Sequence, residues 1–345
     1  MGFFSSLKKA ACDAAKQKIY EELGISQSDA QPQSGQMSRE DYEANKPDEL
    51  RKDVRMLSGC ADHQTSADVS SVSKFKLPDP AGSAGGACTS TLLKILYADE
   101  ENPETQLSFT EVLETMREDL KGNRYSQIPQ LSSMNPIDVS DTFDLVPPEA
   151  TGTKRAVMIG INYVGDSPGE LSGCWNDVLN MKRYIMQVHG FDEENIVILM
   201  DDGEHTAPTF RNIIDAYKTV ISQAEEGDSI FLHYSGHGTK MKDDDGDEED
   251  GYDEALCPRD YASAGLIRDD DLYDILVKEL PDGVHMFSLM DCCHSGSIMD
   301  LPYVFKGGID SEMHLDPEIN LDAFIQQISG KLKEYIERRL RERWG

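Results

Sequence analysis

The chain has 345 residues, 39% of them hydrophobic, and its 64 acidic and 33 basic residues give a formal charge of −31. The length is enough for one large or two ordinary domains with a real core, and the charge argues against nucleic acid or an anionic membrane surface as a partner and favours cationic substrates or metal ions. The seven cysteines have no disulfide-framework spacing, and we find no signal peptide and no run of about 18 apolar residues, so we expect a cytoplasmic protein without a membrane span.

The first 50 residues predict a helix followed by a linker. Met1 to Gly24 has the apolar spacing of an amphipathic helix, which we expect to pack on the body or to fray. Gly2 also opens a myristoylation pattern, but the bulky Phe3 makes acylation a poor fit. Gln27 to Pro47 is rich in Gln, Ser, Asp and Pro, which is typical of a mobile linker.

The next hundred residues predict short strands and two helices. Ser108 followed by Glu111 has the spacing of a capping box, which predicts a helix start. Cys60 to Asp68 is polar and predicts a loop. The strands are predicted over Asp53–Gly59 and Pro129–Ser132, and the helices over Ala87–Ala98 and Phe109–Leu120.

From Lys154 onward, buried strands alternate with amphipathic helices. Such alternation predicts an α/β fold with a mainly parallel sheet, helices on both faces and a cleft at the carboxyl ends of the strands. A last helix, Leu321 to Trp344, has basic final turns and could dock on the acidic body or bind a partner; we favour docking. The strands are predicted over Arg155–Asn162, Asn195–Met200, Ser229–Tyr234 and His285–Met290, and the helices over Asn176–His189, Thr209–Glu225 and Asp270–Leu280.

Two of these strands end in residues that carry chemistry. Ser229 to Tyr234 is followed by Ser-Gly-His-Gly, which places His237 at the sheet edge, and His285 to Met290 is followed by Asp-Cys-Cys-His-Ser-Gly-Ser. If the strands are neighbours, the imidazole can take a thiol proton and generate the reactive thiolate. The N–H of Gly238 could then help to hold an oxyanion.

A lone cysteine on a strand is usually part of the core. Cys292 and Cys293 cannot both face the core, however, because side chains alternate along a strand. We predict that Cys292 points inward and that Cys293 is the nucleophile. A tyrosine-phosphatase loop would need Arg where Met299 stands, and a zinc site would need a second cluster of ligands, so neither alternative fits.

Two carboxylates are predicted beside this cysteine. Asp291 directly precedes the cysteines, and Asp177 stands where a strand passes into its helix, although Asp at a helix start often serves only as a cap. Two such charges would repel each other unless a cation lies between them. The fitting cation is the Arg or Lys side chain of a substrate, and Arg is favoured by its bidentate geometry.

Asp243 to Glu254 contains nine acidic residues in twelve, and such a run is usually a solvated loop. Its acidic residues lack the offsets of an EF-hand. A calcium site could still form from distant carboxylates, because Ca²⁺ accepts about six to eight oxygens in irregular geometry. The candidate carboxylates that flank the catalytic loops are Asp253, Asp269, Asp270 and Asp300.

Four motifs together resemble those of the metacaspases, in the caspase-like cysteine peptidase clan. They are Tyr234–Thr239, Asp291–Gly296, Gly173–Asp177 and Ser58–Asp68, and the likeness covers roughly Arg51 to Asp310. The resemblance implies a mainly parallel six-stranded sheet, the dyad His237 and Cys293, and an oxyanion site at the N–H groups of Gly238 and Cys293. It also implies an Arg/Lys pocket at Cys174, Asp177, Ser235 and Asp291, and a Ca²⁺ site at Asp253, Asp269, Asp270 and Asp300.

The order of the regions departs from the usual pattern. Val54 to Leu145 resembles the small-subunit region, which normally follows the large one, and the arrangement is similar to that of type III metacaspases. We therefore divide the chain into a helix and linker (1–50), a small-subunit-like region (51–150), a large-subunit-like catalytic region (151–310) and a C-terminal helix (311–345), with 51–310 as one caspase-like domain. Because the junction that usually carries the maturation cut is displaced, we expect calcium to activate the zymogen without obligatory cleavage there.

The resulting hypothesis is a calcium-dependent cysteine endopeptidase that cleaves protein or peptide substrates after Arg or Lys and acts as a monomer. A different class of function is a non-catalytic calcium-binding or scaffold protein on the same fold. Redox control through Cys174 or Cys257 also stays open, because the sequence does not give the Cα separations that a disulfide requires.

Overall fold

A computed structural model describes residues 52–59, 68–69, 84–97, 106–242, 252–293, 295–306 and 312–316, all of them within one compact unit, residues 39–345. The predicted helices Met1–Gly24 and Leu321–Trp344, the linker, and most of the polar loop and of the acidic run lie outside the described residues. Within the described residues, no helix is both long enough and apolar enough to cross a membrane.

The strands of the described residues are, in chain order, β1 (Asp53–Ser58), β2 (Asp68–Val69), β3 (Gly85–Gly86), β4 (Gln130–Ser133), β5 (Lys154–Gly160), β6 (Ile196–Met200), β7 (Ser229–Ser235), β8 (Gly238–Lys242), β9 (Tyr252–Leu256), β10 (Ile267–Arg268), β11 (His285–Asp291), β12 (Tyr303–Phe305) and β13 (His314–Leu315). Eight of them form the central sheet, in the order β13-β12-β4-β1-β11-β7-β5-β6. The strands β1, β11, β7, β5 and β6 are parallel, and β4, β12 and β13 extend one side of the sheet in antiparallel pairs.

This architecture confirms the predicted α/β fold. β7 and β11 are buried along their whole length, as their apolar runs predict for central strands of a parallel sheet. The sheet has eight strands instead of six because the short β12 and β13 join its edge. β1, from the small-subunit-like region, pairs in parallel with β11, so that Asp53 lies opposite His285 and Ser58 opposite Met290.

Helices flank this sheet, and their starts follow the sequence signals. The capping box of Ser108 and Glu111 is present, and the Thr209 side chain accepts the N–H of Asn212. The helices are α1 (Ala87–Leu96), α2 (Phe109–Gly122), α3 (Cys174–His189), α4 (Phe210–Ser222), α5 (Tyr261–Ala264) and α6 (Asp269–Leu272), with a 3₁₀ turn at Glu193–Asn195. The helix predicted over Asp270–Leu280 is α6 continued by a π-helical segment, Tyr273–Lys278.

A second sheet of three strands, β10-β9-β8, leaves the central sheet just beyond β7. Its middle strand, β9, is buried at four of five positions although it contains the last three residues of the acidic run. The prediction of a solvated loop over Asp243–Glu254 is therefore wrong for Asp253 and Glu254, which lie on β9 and are buried. The antiparallel β8–β9 pair fixes both positions, since Lys240 lies opposite Glu254 and Met241 opposite Asp253.

Candidate active site

The two loops predicted to carry the catalytic dyad meet at the carboxyl edge of the sheet. β7 and β11 are neighbours, and their last residues, Ser235 and Asp291, lie opposite each other. His237 and Cys293 each follow two residues later, and both are partly exposed. A Cβ placed on Gly238 would overlap the carbonyl oxygen of Cys293, so the two loops are in direct contact. The structure thus brings both predicted residues to one edge.

The adjacent cysteines face different surroundings. Cys292 is fully buried, and its Sγ lies 3.3 Å from the position that a Gly238 Cβ would take. Cys293 is partly exposed, whereas the other free cysteines among the described residues are buried. The third thiol nearby, Cys257, has its pKa raised to about 12 by burial and, secondarily, by the charge of Cys293. Cys257 therefore stays protonated at neutral pH, and Cys292 is not accessible. Both observations favour the partly exposed Cys293 as the reactive thiol.

One hydrogen bond assigns the roles of the two imidazole nitrogens of His237. Nε2 lies 2.6 Å from the carbonyl oxygen of Gly169, which can only accept, so Nε2 carries the proton. Nδ1 is then the nitrogen with the lone pair. The ring also packs on Tyr163, with 4.6 Å between ring centroids. The imidazole is therefore held in the tautomer in which Nδ1 can accept a proton from a thiol.

Two buried tyrosines hold the backbone around His237, and the sequence reasoning missed both. The Tyr163 hydroxyl accepts the N–H of His237 (3.0 Å) and donates to the carbonyl oxygen of Cys257 (2.6 Å). The Tyr234 hydroxyl donates to the carbonyl oxygen of His237 (2.9 Å). Burial raises the pKa of both tyrosines well above the usual value, so both hydroxyls keep their protons. The available signal was their position in the chain, because Tyr163 stands three residues after β5 and Tyr234 is the second-last residue of β7.

The N–H of Gly238 lies outside the β8–β9 ladder. Gly238 is opposite Leu256, and the preceding pair is joined by the bond from Cys257 N–H to the His237 carbonyl. Because hydrogen-bonded and non-hydrogen-bonded pairs alternate in an antiparallel ladder, Gly238 belongs to a non-hydrogen-bonded pair. Its N–H is therefore directed away from β9, as a donor to an oxyanion would have to be.

The two predicted pocket carboxylates converge on the start of α1. Asp177 and Asp291 are 1% and 4% exposed. Asp177 accepts the N–H of Gly86 (2.8 and 2.9 Å), and Asp291 accepts the N–H and the hydroxyl of Thr89 (2.9 and 2.8 Å). The start of α1 therefore supplies hydrogen-bond donors and the positive end of a helix dipole to both carboxylates, in addition to the substrate cation that the sequence predicts between them.

The remaining pocket residues connect to this pair. The Ser235 hydroxyl donates to Asp177 (2.8 Å), and Cys174 lies one turn before Asp177 on α3. Cys174 is buried, and its N–H donates to the side chain of Asn162 (3.0 Å), a contact that the sequence did not suggest. The cap of α3 is Gly173, so Asp177 does not cap its own helix. Asp177, Asp291 and Ser235 thus belong to one buried acidic site, and Cys174 lies one helical turn from Asp177.

Gly86 makes the convergence of the carboxylates sterically possible. A Cβ there would overlap Oδ2 of Asp291 and lie 2.9 Å from Oδ2 of Asp177. Behind Thr89, His233 is completely buried and its Nε2 lies 3.4 Å from the Thr89 hydroxyl. Burial lowers the pKa of His233 to about 3, so it is neutral and adds no positive charge to the acidic pair.

Three of the four predicted metal ligands form a cluster. Asp253, Asp269 and Asp270 each offer a carboxylate oxygen within 4.8 Å of the others, and Asp253 and Asp269 are buried. Burial and, secondarily, the charges of Glu254 and Asp253 raise the pKa of Asp269 to about 8. Asp253 is also ion-paired with Arg268 (2.8 Å), and the three convergent carboxylates offer oxygen donors of the kind that a hard divalent cation accepts. Asp300 is buried in a turn with φ 47° and is not part of this cluster.

Comparisons with known proteins relate this chain to the metacaspases. The sequence model described as "Metacaspase, peptidase C14 domain" matches residues 154–302, and that described as "Caspase domain" matches residues 7–139. The chain is 61% identical over 289 residues to Metacaspase III c of Phaeodactylum tricornutum, covering 83% of this chain and 86% of the relative. It is 45% identical over 179 residues to Metacaspase-1B of Aspergillus clavatus, covering 51% of this chain but only 43% of that relative.

Proposed function

Because this chain belongs to the metacaspase family of caspase-like cysteine peptidases, we propose that it is a calcium-dependent endopeptidase that cleaves after Arg or Lys with Cys293 and His237 as its dyad. The observation that carries the assignment of the dyad is the contact of Gly238 with Cys293 beside an imidazole whose Nε2 is committed to Gly169. Protein substrates follow from the family, whereas the metal and the P1 preference rest on the acidic clusters.

In the proposed mechanism, Nδ1 of His237 takes the Cys293 thiol proton and the thiolate attacks the scissile carbonyl carbon. The N–H groups of Gly238 and Cys293 stabilise the oxyanion, and the loss of one such donor costs about 3 kcal/mol. His237 then gives its proton to the leaving amine, which leaves an acyl-enzyme. His237 next takes a proton from a water molecule as this water attacks the thioester, and the Cys293 thiolate is released.

The P1 preference is supported by the charge of the buried pocket. Asp177 and Asp291 present two buried carboxylates within the reach of one basic side chain, since a Cβ on Gly86 would lie within 3 Å of a carboxylate oxygen of each. In the proposal, the guanidinium or ammonium group binds these oxygens in competition with the first-turn donors of α1. An acidic P1 side chain would meet like charge without compensation.

Calcium is supported by the fit of the aspartate cluster. Asp253, Asp269 and Asp270 would hold the ion through carboxylate oxygens, and Asp300 would have to move to join them. The bound ion would supply positive charge that relieves the mutual repulsion of these side chains and orders the segments that carry them. Asp253 lies on β9, which pairs with the strand that begins at Gly238, so this ordering would reach the oxyanion site.

Reporter peptides that differ only at P1 test the proposal. In saturating calcium we expect hydrolysis of the Arg and Lys peptides and at least a tenfold lower kcat/KM for the Asp peptide, because of the two pocket carboxylates. A chelator should abolish hydrolysis, and added calcium should restore it. Efficient cleavage after Asp would contradict the proposed P1 preference, and full activity in chelator would contradict the proposed calcium dependence. Failure to cleave any reporter would favour the scaffold alternative.

We also expect the intact chain to be active in calcium, because β1 and β4 of the small-subunit-like region are already part of the same sheet as β11. Cleavage sites formed during activation would be identified by mass spectrometry and then removed by substitution. The resulting chain should stay intact on a denaturing gel and keep its activity towards the Arg peptide. An uncleavable intact chain that stays inactive in saturating calcium would contradict this expectation.

A further inference from the structure

The buried side chain of Glu254 has no role in the mechanism above. It is 1% exposed on β9, directly after Asp253. Its carboxylate pairs with Lys240 across the β8–β9 ladder (3.0 Å) and accepts the hydroxyl of Ser297 (2.6 Å). Burial of a carboxylate costs folding free energy unless ion pairs and hydrogen bonds compensate it. These two contacts therefore stabilise the Glu254 side chain and restrain its position.

Through these contacts Glu254 touches both the aspartate cluster and the loop of the nucleophile. Its backbone N–H donates to Oδ2 of Asp269 (2.6 Å), a member of the cluster. Its side-chain partner, Ser297, is 4% exposed and lies four residues after Cys293. The carbonyl oxygen of Ser297 in turn accepts the N–H of Asp300 (2.7 Å). A single residue therefore bridges the two sites without contacting the reacting atoms.

We infer that Glu254 is a positioning residue that couples cation binding to the loop bearing Cys293. Ligation of Asp269 would restrain the β9 backbone at Glu254, and the Glu254 carboxylate would restrain the loop through Ser297. The inference rests on the proposed calcium site. If Glu254 only stabilised the aspartate cluster, its hydrogen bond to Ser297 would not matter for the cysteine. In the inferred role, the ion affects Cys293 only through this bond, because Ser297 lies outside the cluster.

The test separates cation binding from its effect on the thiol. Calcium binding to the full-length protein is measured by calorimetry, and the alkylation rate of Cys293 by iodoacetamide is measured by peptide mass spectrometry, with calcium and with chelator. The variants are Ser297→Ala, which removes the hydroxyl, and Glu254→Gln, which keeps an acceptor but removes the charge. Ser140→Ala is the matched control, because it removes a serine–aspartate bond at an exposed turn.

We expect calcium to change the wild-type alkylation rate at least tenfold, and Ser140→Ala to behave identically. Ser297→Ala should bind calcium within about threefold of the wild-type affinity and lose this response, and Glu254→Gln should show an intermediate response. An unchanged response in both variants would overturn the inference. So would a tenfold loss of calcium affinity in Ser297→Ala, which would place Ser297 in the site itself. If the wild type binds no calcium, the proposed calcium dependence fails together with the inference.

If Ser297→Ala does not fold, as judged by its thermal unfolding, Glu254→Gln decides the question alone. The amide retains the shape of the carboxylate and can accept the Ser297 hydroxyl only as a neutral group, which makes the hydrogen bond weaker. A wild-type response in this variant would then be sufficient to overturn the coupling, and a reduced response with unchanged calcium affinity would support it.

Discussion

Cys293→Ala is expected to lower kcat/KM towards an Arg reporter by about 10⁴-fold or more, because no other accessible thiol among the described residues can form the acyl-enzyme. Cys292→Ala should keep most of the activity. Its sulfur is buried beneath Gly238, so its removal leaves a small cavity and costs about 1 kcal/mol of folding stability without removing a reacting atom.

Steady-state kinetics together with thermal unfolding distinguish these effects. Cys293→Ala should unfold at nearly the wild-type temperature, whereas Cys292→Ala should unfold a few degrees lower and still hydrolyse the reporter. Labelling with a thiol-reactive inhibitor should modify Cys293 in the wild type and in Cys292→Ala. Activity lost in Cys292→Ala but retained in Cys293→Ala would show that the nucleophile is the other thiol.

The sequence predicts the sheet from local patterns, and it predicts the meeting of the two loops on the condition that β7 and β11 are neighbours, which the structure shows. The apolar runs of β7 and β11 are long enough to require burial on both faces, and the glycine-flanked polar residues that follow mark their carboxyl ends. Alternation of side chains along a strand separates Cys292 from Cys293 without further information. Such features can be predicted because they depend only on residues that are close in the chain or on the general geometry of parallel sheets.

The contacts that the sequence did not predict join residues far apart in the chain. Gly86 meets Asp177 across 91 positions, and Thr89 meets Asp291 across 202. Nothing near Asp177 or Asp291 in the sequence indicates that the start of a distant helix donates hydrogen bonds to these carboxylates. Likewise, the acidic run indicates a solvated loop until its pairing with β8 is known, which places Asp253 and Glu254 in a buried strand.

The close contact of Gly238 with the nucleophile loop predicts the second large effect. In Gly238→Ala, the added Cβ would overlap the carbonyl oxygen of Cys293, which is backbone and cannot move aside as a flexible side chain would. Either the loop of Cys293 or that of His237 must shift. We expect kcat/KM to fall by about 10²-fold to 10³-fold, since displacement of about 1 Å or the loss of one oxyanion donor is enough for such a change.

Gly122→Ala is the matched control, because Gly122 is an exposed residue at the end of α2 and a Cβ there meets nothing within 4 Å. This variant should keep wild-type kinetics and should be as stable as the wild type or up to about 1 kcal/mol more stable, since alanine is the better helix former. Activity of Gly238→Ala within threefold of the wild type, with an unchanged unfolding temperature, would mean that the two loops do not meet in this way during catalysis. If the loops of His237 and Cys293 form one active site, Gly238→Ala should lose most of its activity and Gly122→Ala should lose none.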